Sequence, residues 1–329
     1  MRRNDCDPLW GRAMIESAAI NGQSLVEEFI RSHFVADNPL VTEAVRRMIA
    51  AGGKRIRPRL TLLAAETAGA RPGEHLELAS YMELIHVATL IHDDVVDRAD
   101  TRRGVNATAI DYGNRISVLA GDYLFAWIFR NVTARYPAPI PHVLSATLAE
   151  ICAGEVLQLR ARGDVGLALA DYIDIIAKKT ASLFAASAEC GAIVAGASPE
   201  DRSALRAFGR DYGIAFQMKD DLLDMTSDAE RLGKPAGNDL REHKVTIPLI
   251  LALRLGDRGF RHAVERFFTR GDNAEIERIV EGVTACGALA ATCEQIEHYA
   301  RKASDSLAHV GDGAAQRSLI EMAGALAKR

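Results

Sequence analysis

The chain has few cysteines and no long hydrophobic run, and each absence narrows the class of protein. Its five cysteines in 329 residues are scattered, without a CxxC pair or a Cys/His metal spacing. We therefore expect reduced thiols in a cytoplasmic protein. The first residues lack the apolar core of a signal peptide. No apolar run approaches the roughly 18 residues of a membrane-spanning helix, so we expect no transmembrane segment.

Positive charge is not in excess either. Lys and Arg total 40 against 44 Asp and Glu, which gives a formal net charge of −4. This balance argues against a nucleic-acid-binding surface. The hydrophobic content of 48% and the charged content of 26% are ordinary for a globular protein. Any basic site must therefore be local.

Short alternating segments with hairpin signals are also missing, and a helical period takes their place. Apolar residues recur at spacings of three and four, as in 14–19, 25–30 and 144–151. We predict an all-α fold, a helical bundle around a central apolar cavity. We expect one domain over 1–329, with a motif-bearing core at about 52–251 on which the N-terminal and C-terminal helices pack.

Two aspartate-rich motifs are the most informative feature. The first, His92–Asp97, ends an apolar helical pattern over 74–98, and the second, Asp220–Asp224, lies far downstream. Because residues i and i+4 share a helix face, each motif aims two carboxylates at one point. Such like charges repel, and Mg²⁺ takes oxygen ligands of this kind together with substrate phosphates. A solvated helix face is the alternative for one motif, but two copies in apolar surroundings favour a metal site. The paired carboxylates are those of Asp93, Asp97, Asp220 and Asp224.

Basic residues gather at two places in the first third of the chain. Lys54, Arg55 and Arg57 crowd the start of a predicted helix, where backbone N–H groups and the helix dipole attract anions. Arg102 and Arg103 follow the motif in a short loop and could bind phosphate oxygens bidentately. The alternatives are a solvated basic turn and salt bridges back to nearby aspartates.

Further basic residues accompany the second motif. Lys178 and Lys179 lie in an apolar helix, where a lysine either extends to solvent or meets an anion. The polar stretch 227–242 is typical of a mobile loop, and Lys234 and Lys244 could close it over a phosphate group.

The helix before the first motif predicts the wall of a cavity. His86 lies two turns before Asp93 on the same side, so a role in the site and a core role both remain open. Met82, Ile85 and Thr89 continue that face and would line a cavity beneath the metals. His92 we interpret as a supporting or structural residue. An apolar cavity, acidic clusters and local cations together suit the ionisation of an allylic diphosphate.

These motifs, in their order and spacing, resemble those of trans-polyprenyl diphosphate synthases, particularly the heptaprenyl and octaprenyl types. The resemblance rests on GKRIRP (53–58), HDDVVD (92–97), RRG (102–104), KT (179–180), FQMKDDLLD (216–224), GK (233–234) and KVTIPLI (244–250). It implies the isoprenoid synthase type I fold. It also implies a magnesium-dependent prenyltransferase that joins isopentenyl diphosphate head-to-tail (1'-4, trans) onto an allylic diphosphate, by ionisation, condensation and elimination.

The resemblance also implies a role for each residue by position. About three Mg²⁺ ions would be held by Asp93, Asp97, Asp220 and Asp224, with Asp94 and Asp221 supporting them. The allylic diphosphate would be gripped by Arg102, Lys179, Thr180, Gln217, Lys234 and Lys244. Isopentenyl diphosphate would be bound by Lys54, Arg57, His86 and Arg103. The residues expected to matter most for catalysis are Asp93, Asp94, Asp97, Lys179, Asp220 and Asp221. The released diphosphate would take the proton, so no side-chain base is required.

Product length follows from the residues just before the first motif. Short-chain relatives carry bulky aromatics there, whereas this chain has Ala88 and Thr89. We therefore expect a C30 to C50 product. The floor of the cavity would then be Met82, Ile85 or an aromatic residue from 123–129. Two departures from the family pattern concern His243, where glycine is common, and Lys219, where an apolar residue is common.

Competing interpretations use the same motifs differently. A geranylgeranyl or farnesyl diphosphate synthase is the nearest alternative. A class I terpene cyclase shares the first motif but needs no isopentenyl diphosphate site, and a metal-dependent phosphohydrolase leaves the second motif unexplained. The chain could also be a catalytic subunit that requires an accessory partner. The resemblance implies a homodimer, and release of a long product suggests transient membrane contact.

Overall fold

A computed structural model describes residues 22–226, 237–271 and 273–328 of the chain, and these residues are mostly helical. The first helices are α1 (Gly22–His33), α2 (Pro39–Ala50), α3 (Ile56–Thr67), α4 (Leu76–Val96), α5 (Thr108–Tyr112), α6 (Asn114–Arg135) and α7 (Pro139–Arg160). They are followed by α8 (Leu169–Ile176), a π-helical turn (Ala177–Ala181), α9 (Ser182–Val194) and α10 (Pro199–Thr226). The last are α11 (Asn238–Arg241), α12 (Ile247–Leu255), α13 (Arg258–Arg270), a 3₁₀ turn (Asn273–Glu275), α14 (Ile276–Ala285), α15 (Ala288–Ser306) and α16 (Ala314–Ala327). The predicted all-α fold class is confirmed.

Turn-forming residues set several helix boundaries. Asn38 caps α2 by accepting a hydrogen bond from the N–H of Leu40 at 2.9 Å, and Pro39 occupies the first helical position. Pro199 opens α10 in the same way, and Gly271 ends α13 with a left-handed φ of 69°. Pro in the first helical turn and Gly just after the last one are the usual residues at these positions.

The described residues form two compact units. Unit one comprises those within Met1–Ser145, Ala186–Leu205 and Val310–Arg317, and unit two comprises those within Ala146–Ala185, Arg206–His309 and Ser318–Arg329.

Helix α4 is the centre of unit one and carries the first aspartate motif. It packs mainly against α3 and α6, and its buried side chains include Leu78, Met82, Leu84 and Ile91. Because neighbours cover it on several sides, its residues are apolar almost all round until the motif begins at its last turn. The burial of α4 therefore fixes the position of the motif.

A short antiparallel hairpin follows α4. Strand β1 (Thr101–Arg102) pairs with β2 (Val105–Asn106), with Thr101 opposite Asn106. Arg103 and Gly104 form its turn, both with positive φ. The sequence analysis treated this stretch as a loop, so the hairpin is a finding of the structure.

Unit two has its own apolar core, which supports the second motif. Helix α10 contributes Ile214, Met218 and Leu222, which pack with residues of α12 to α15 such as Leu249 and Phe267. The buried face of α10 thus fixes the position of the helix that carries the second motif.

Two elements differ from the sequence prediction. Residues 238–241 of the stretch predicted as a loop form the helical turn α11, whereas residues 227–236 lie outside the described part. Helix α7 is long and apolar enough to cross a membrane by length and composition, with 28% of its most apolar window buried. The sequence predicts no such segment, because no uninterrupted apolar run approaches the roughly 18 residues of a spanning helix.

Candidate active site

The first motif lies at the C-terminal end of α4. Asp93 and Asp94 belong to its last turn, and Asp97 is its C-cap, with its N–H bonded to the Asp93 carbonyl at 2.8 Å. Asp93 and Asp97 are partly exposed, whereas Asp94 is fully buried. The helical spacing therefore presents the first and last aspartates together and turns the middle one inward.

Arg102 is the partner of the buried Asp94. Its Nε and Nη2 donate to Asp94 Oδ1 at 2.8 and 2.5 Å. Burial raises the pKa of the Asp94 carboxyl, and the Arg102 guanidinium opposes that rise. Asp94 Oδ2 is buried without a hydrogen-bond partner among the described residues. Arg102, predicted to grip the allylic diphosphate, is thus held at the motif by Asp94.

Arg103 joins the hairpin to the basic loop before α3. Its Nη1 donates a hydrogen bond to the Gly52 carbonyl. A Cβ added at Gly53 would lie only 2.7 Å from that same Nη1. Gly53 also has a φ of 149°. Glycine is favoured at this position because other residues rarely adopt that conformation and because a side chain would collide with Arg103. Two segments predicted to bind isopentenyl diphosphate therefore meet within unit one.

Arg55 takes a structural position that the sequence analysis did not foresee. It is 3% exposed and has a left-handed φ of 47°. It pairs with Glu83 at 2.7 Å and with Glu27 at 2.9 Å, and donates to the Ile49 carbonyl at 2.7 Å. The sequence analysis grouped Arg55 with Lys54 and Arg57 as one basic cluster, but this buried ion-pair network separates it from them. Lys54 is exposed and Arg57 is partly buried.

His86 is surrounded by arginines. Burial lowers the pKa of His86 well below its usual value, and the charges of Arg57, Arg103, Arg102 and Arg55 lower it further. The imidazole is therefore neutral at neutral pH, next to a concentration of positive charge. Such a group of cations suits an anionic ligand.

His92 has a structural contact. Its Nε2 lies 3.1 Å from the Val118 carbonyl and 3.4 Å from Asp122 Oδ1. A Cβ at Gly121 would collide with its ring, so Gly121 allows α6 to approach the end of α4. This agrees with the supporting role predicted for His92.

The second motif has the same division between inner and outer carboxylates. Asp220 is exposed and Asp224 partly buried, whereas Asp221 is 4% exposed. Asp221 Oδ2 accepts a hydrogen bond from the Tyr172 hydroxyl at 2.5 Å, and Oδ1 accepts one from Gln217 Nε2 at 2.8 Å. Burial raises the pKa of Asp221 to about 7, against the lowering effect of these two bonds.

Asp239 is an acidic residue of this group that sequence reasoning missed. Its N–H donates to Asp224 Oδ2 at 3.0 Å. Burial raises the pKa of its carboxyl well above the usual value, the charges of Asp221 and Asp224 raise it further, and Lys244 opposes them. The only indication in the sequence is that Asp239 lies in the same polar stretch, NDLREHK (238–244), as Lys244. Lys244 also forms an ion pair with Glu242.

Lys179 and Thr180 lie on the π-helical turn. Lys179 Nζ donates to Gln158 Oε1 at 2.7 Å and forms an ion pair with Glu155. A Cβ at Gly154 would clash with the backbone of Lys179, so α7 and the turn are in close contact. The extra residue of a π-helical turn is frequent at functional sites. Thr180 Oγ1 donates to Gln217 Oε1 at 2.9 Å.

The remaining predicted residues are placed as follows. Met82, Ile85 and Ala88 are buried in α4, and Thr89 is partly buried and donates to the His86 carbonyl at 2.8 Å. Lys219, one of the two departures from the family pattern, donates to the Lys328 carbonyl at 2.8 Å. Lys234 lies outside the described residues.

Across 22–226, 237–271 and 273–328, no three His, Cys, Asp or Glu side chains converge as a preformed metal site. The donor set of the two motifs nonetheless fits a hard divalent cation, since carboxylate oxygens are the ligands that Mg²⁺ and Ca²⁺ prefer.

Known proteins are similar to this chain in sequence and in fold. The family model for polyprenyl synthetase matches residues 38–283. Octaprenyl diphosphate synthase of Escherichia coli (strain K12) is 38% identical over 289 residues, covering 88% of this chain and 90% of that protein. Heptaprenyl diphosphate synthase component 2 of Bacillus subtilis (strain 168) is 35% identical, covering 92% and 86%.

A solved structure is also similar to the structure of this chain. The polyprenyl synthase of Caulobacter crescentus CB15, complexed with calcium and isoprenyl diphosphate, superposes with a TM-score of 0.87 at 37% identity, covering 100% of this chain and 99% of that one. The chain belongs to the polyprenyl synthetase family. It is a prenyltransferase with the all-α isoprenoid synthase fold, so the predicted family and enzyme class are confirmed.

Proposed function

We propose that this enzyme condenses isopentenyl diphosphate with an allylic diphosphate to make a polyprenyl diphosphate of C30 to C50. The C–O bond of the allylic substrate breaks and its diphosphate leaves. The double bond of isopentenyl diphosphate then forms the new C–C bond. A proton leaves the condensed intermediate for the released diphosphate, which restores a double bond and neutral carbon.

The contact between Arg103 and the Gly52 carbonyl, beside the positive charge near His86, is the observation that carries this proposal. Arg57 and Arg103 lie close enough to depress the pKa of His86, and Arg103 bonds to the loop that holds Lys54. A second diphosphate needs such a cationic site, whereas a terpene cyclase binds only one. We therefore assign isopentenyl diphosphate to Lys54, Arg57, His86 and Arg103.

The two aspartate motifs serve the allylic diphosphate in this proposal. Asp93, Asp97, Asp220 and Asp224 would hold Mg²⁺, about three ions when diphosphate is bound. Bound cations neutralise negative charge on the leaving diphosphate. Asp94 and Asp221 would orient these ligands, because their oxygens face Arg102, Tyr172 and Gln217 instead of solvent.

The basic residues near the second motif would bind the same diphosphate. Lys179 and Lys244 each have a carboxylate partner, Glu155 and Glu242, and we expect both lysines to exchange that partner for phosphate oxygens. Thr180, Gln217 and Lys234 would bind this diphosphate as well, together with Arg102 of the hairpin that follows the first motif.

Long products are supported by the small residues next to the first motif. Ala88 and Thr89 occupy the turn of α4 that precedes Asp93, and neither side chain is bulky enough to end a growing chain. Ile85 and Met82 would set a limit one or two turns deeper.

We propose a homodimeric cytoplasmic enzyme that contacts membranes transiently to release its product. An accessory subunit is a second arrangement, which the word component in the name of the Bacillus subtilis protein supports.

The exposed face of α13 supports membrane contact. It carries Arg258, Arg261 and Arg270, and α12 ends beside it with Leu255 55% exposed. Arginines near anionic lipid contribute about 1 kcal/mol each.

Substrate consumption tests the proposal. The purified chain is incubated with labelled isopentenyl diphosphate and farnesyl diphosphate, with Mg²⁺ or with EDTA. We expect metal-dependent transfer of label into an extractable lipid and release of diphosphate. A cyclised hydrocarbon formed without isopentenyl diphosphate would contradict the proposal.

A further inference from the structure

Tyr172 itself has no assigned role, yet its buried hydroxyl contacts the second motif. It belongs to α8, is 3% exposed, and its hydroxyl lies 2.5 Å from Asp221 Oδ2. The two residues are 49 positions apart in the chain. A tyrosine buried to this degree usually has a hydrogen-bond partner. This one has a carboxylate of the second motif.

The contact is one end of a hydrogen-bonded chain. Thr180 donates to Gln217 Oε1, so Gln217 must present its Nε2, which donates to Asp221 Oδ1. With Tyr172 on the other oxygen, both oxygens of Asp221 accept hydrogen bonds from protein donors. The amide orientation of Gln217 is fixed by having a donor on one side and an acceptor on the other.

This arrangement separates Asp221 from its neighbours in the motif. Asp220 is exposed, whereas Asp221 is buried with its oxygens occupied. Asp220, Asp221 and Asp224 lie on the same helix. The rotation of α10 that places the Asp221 side chain therefore also sets the directions of Asp220 and Asp224. We propose that Tyr172 is a positioning residue: by holding Asp221 against α8, it orients Asp220 and Asp224 to bind cation and diphosphate. This inference rests on the proposed function of the second motif.

Removal of one hydroxyl tests the inference. Tyr172→Phe keeps the ring and removes only the donor to Asp221. We expect the Mg²⁺ concentration for half-maximal activity to rise about five-fold or more, with the KM for isopentenyl diphosphate unchanged. As a readout independent of turnover, the rise in Tm produced by Mg²⁺ with inorganic diphosphate should be smaller than in the wild-type chain.

Tyr81 offers a matched control. Its hydroxyl also lies 2.5 Å from a carboxylate oxygen, that of Glu77, and its side chain is 1% exposed. Tyr81→Phe removes a part-buried bond of the same length on α4, about three helical turns before Asp93. It should lower the Tm without ligand about as much as Tyr172→Phe, and leave the Mg²⁺ dependence unchanged.

The results distinguish failure of the proposed function from failure of the positioning role of Tyr172. If wild-type chain consumes no isopentenyl diphosphate, the proposed function fails. If the wild type is active and Tyr172→Phe loses only Tm, with wild-type Mg²⁺ dependence and ligand-induced stabilisation, Tyr172 is merely structural and the inference is wrong. Equal effects of both substitutions on Mg²⁺ dependence would also overturn it.

Discussion

Arg102 and Asp94 are held together by two hydrogen bonds to a single carboxylate oxygen, at 2.8 and 2.5 Å. Asp94 is completely buried, while the Arg102 side chain is 30% exposed. The guanidinium therefore compensates a buried charge on one side and is accessible on the other. Arg102 can keep the first motif in place and still offer N–H groups to a phosphate.

Arg102→Gln should destabilise the protein because it leaves the Asp94 carboxyl buried without its donor. We expect the free energy of unfolding in urea to fall by about 2 kcal/mol. In an Asp94→Asn background the same substitution should cost much less, because the buried group is then neutral. Equal losses in both backgrounds would show that the two residues are not coupled.

Gly53→Ala should selectively weaken isopentenyl diphosphate binding. The new Cβ would lie 2.7 Å from Arg103 Nη1, so the guanidinium must leave the Gly52 carbonyl. We expect the KM for isopentenyl diphosphate to rise about ten-fold, or about 1.4 kcal/mol, with little change in the KM for the allylic substrate. Gly52→Ala is the control, since it has a positive φ of 81° but nothing within 4 Å of its added Cβ. Equal changes in the KM for isopentenyl diphosphate in both variants would contradict this prediction.

His86 should make stability depend on pH. Its pKa in the folded chain is well below the value of 6.5 expected in the unfolded chain. As the pH falls through 6.5, the unfolded state binds a proton that the folded state does not, so stability falls. Relative to His86→Gln, the wild type should lose stability between pH 7.5 and 5.5, with a slope approaching about 1.4 kcal/mol per pH unit. Urea unfolding of both proteins at several pH values measures this, and a constant difference would argue against a neutral His86.

Ala88→Phe should shorten the product by several isoprene units, because a ring would then fill the turn next to Asp93. Ala79→Phe is the matched control, with the same volume added to another buried alanine of α4. Both substitutions should cost about 1–3 kcal/mol of stability through overpacking. Mass spectrometry of the extracted products distinguishes them, and an unchanged length in Ala88→Phe would exclude Ala88 as a determinant of chain length.

The α13 surface should bind anionic vesicles in proportion to its charge. Arg258→Gln/Arg270→Gln removes two exposed arginines and should weaken co-sedimentation with phosphatidylglycerol vesicles about ten-fold or more at low salt. Arg206→Gln/Arg210→Gln removes two exposed arginines of α10 and should have little effect. Similar losses in both variants would mean that general charge, not α13, governs binding.

Sequence reasoning located the helices and the motifs because both depend on local spacing. The aspartates at i and i+4 and the Pro and Gly boundaries follow from helix geometry alone. The burial of the Arg55 side chain could not be predicted, because its partners Glu27 and Glu83 are each 28 residues away in the sequence. Tyr172 was missed for the same reason, since its meaning depends on Asp221 being its neighbour in space. The hairpin at 101–106 is too short to show an alternating pattern.

The product of the purified chain tests the central claim most directly. The chain alone, with isopentenyl and farnesyl diphosphates and Mg²⁺, should yield polyprenyl diphosphates whose masses correspond to C30 to C50, and EDTA should abolish them. Elongation that begins only when a second protein is added would favour a subunit of a larger enzyme. A product that stops at C20 would contradict the long-chain assignment, and no incorporation of isopentenyl diphosphate under any of these conditions would contradict the proposed reaction.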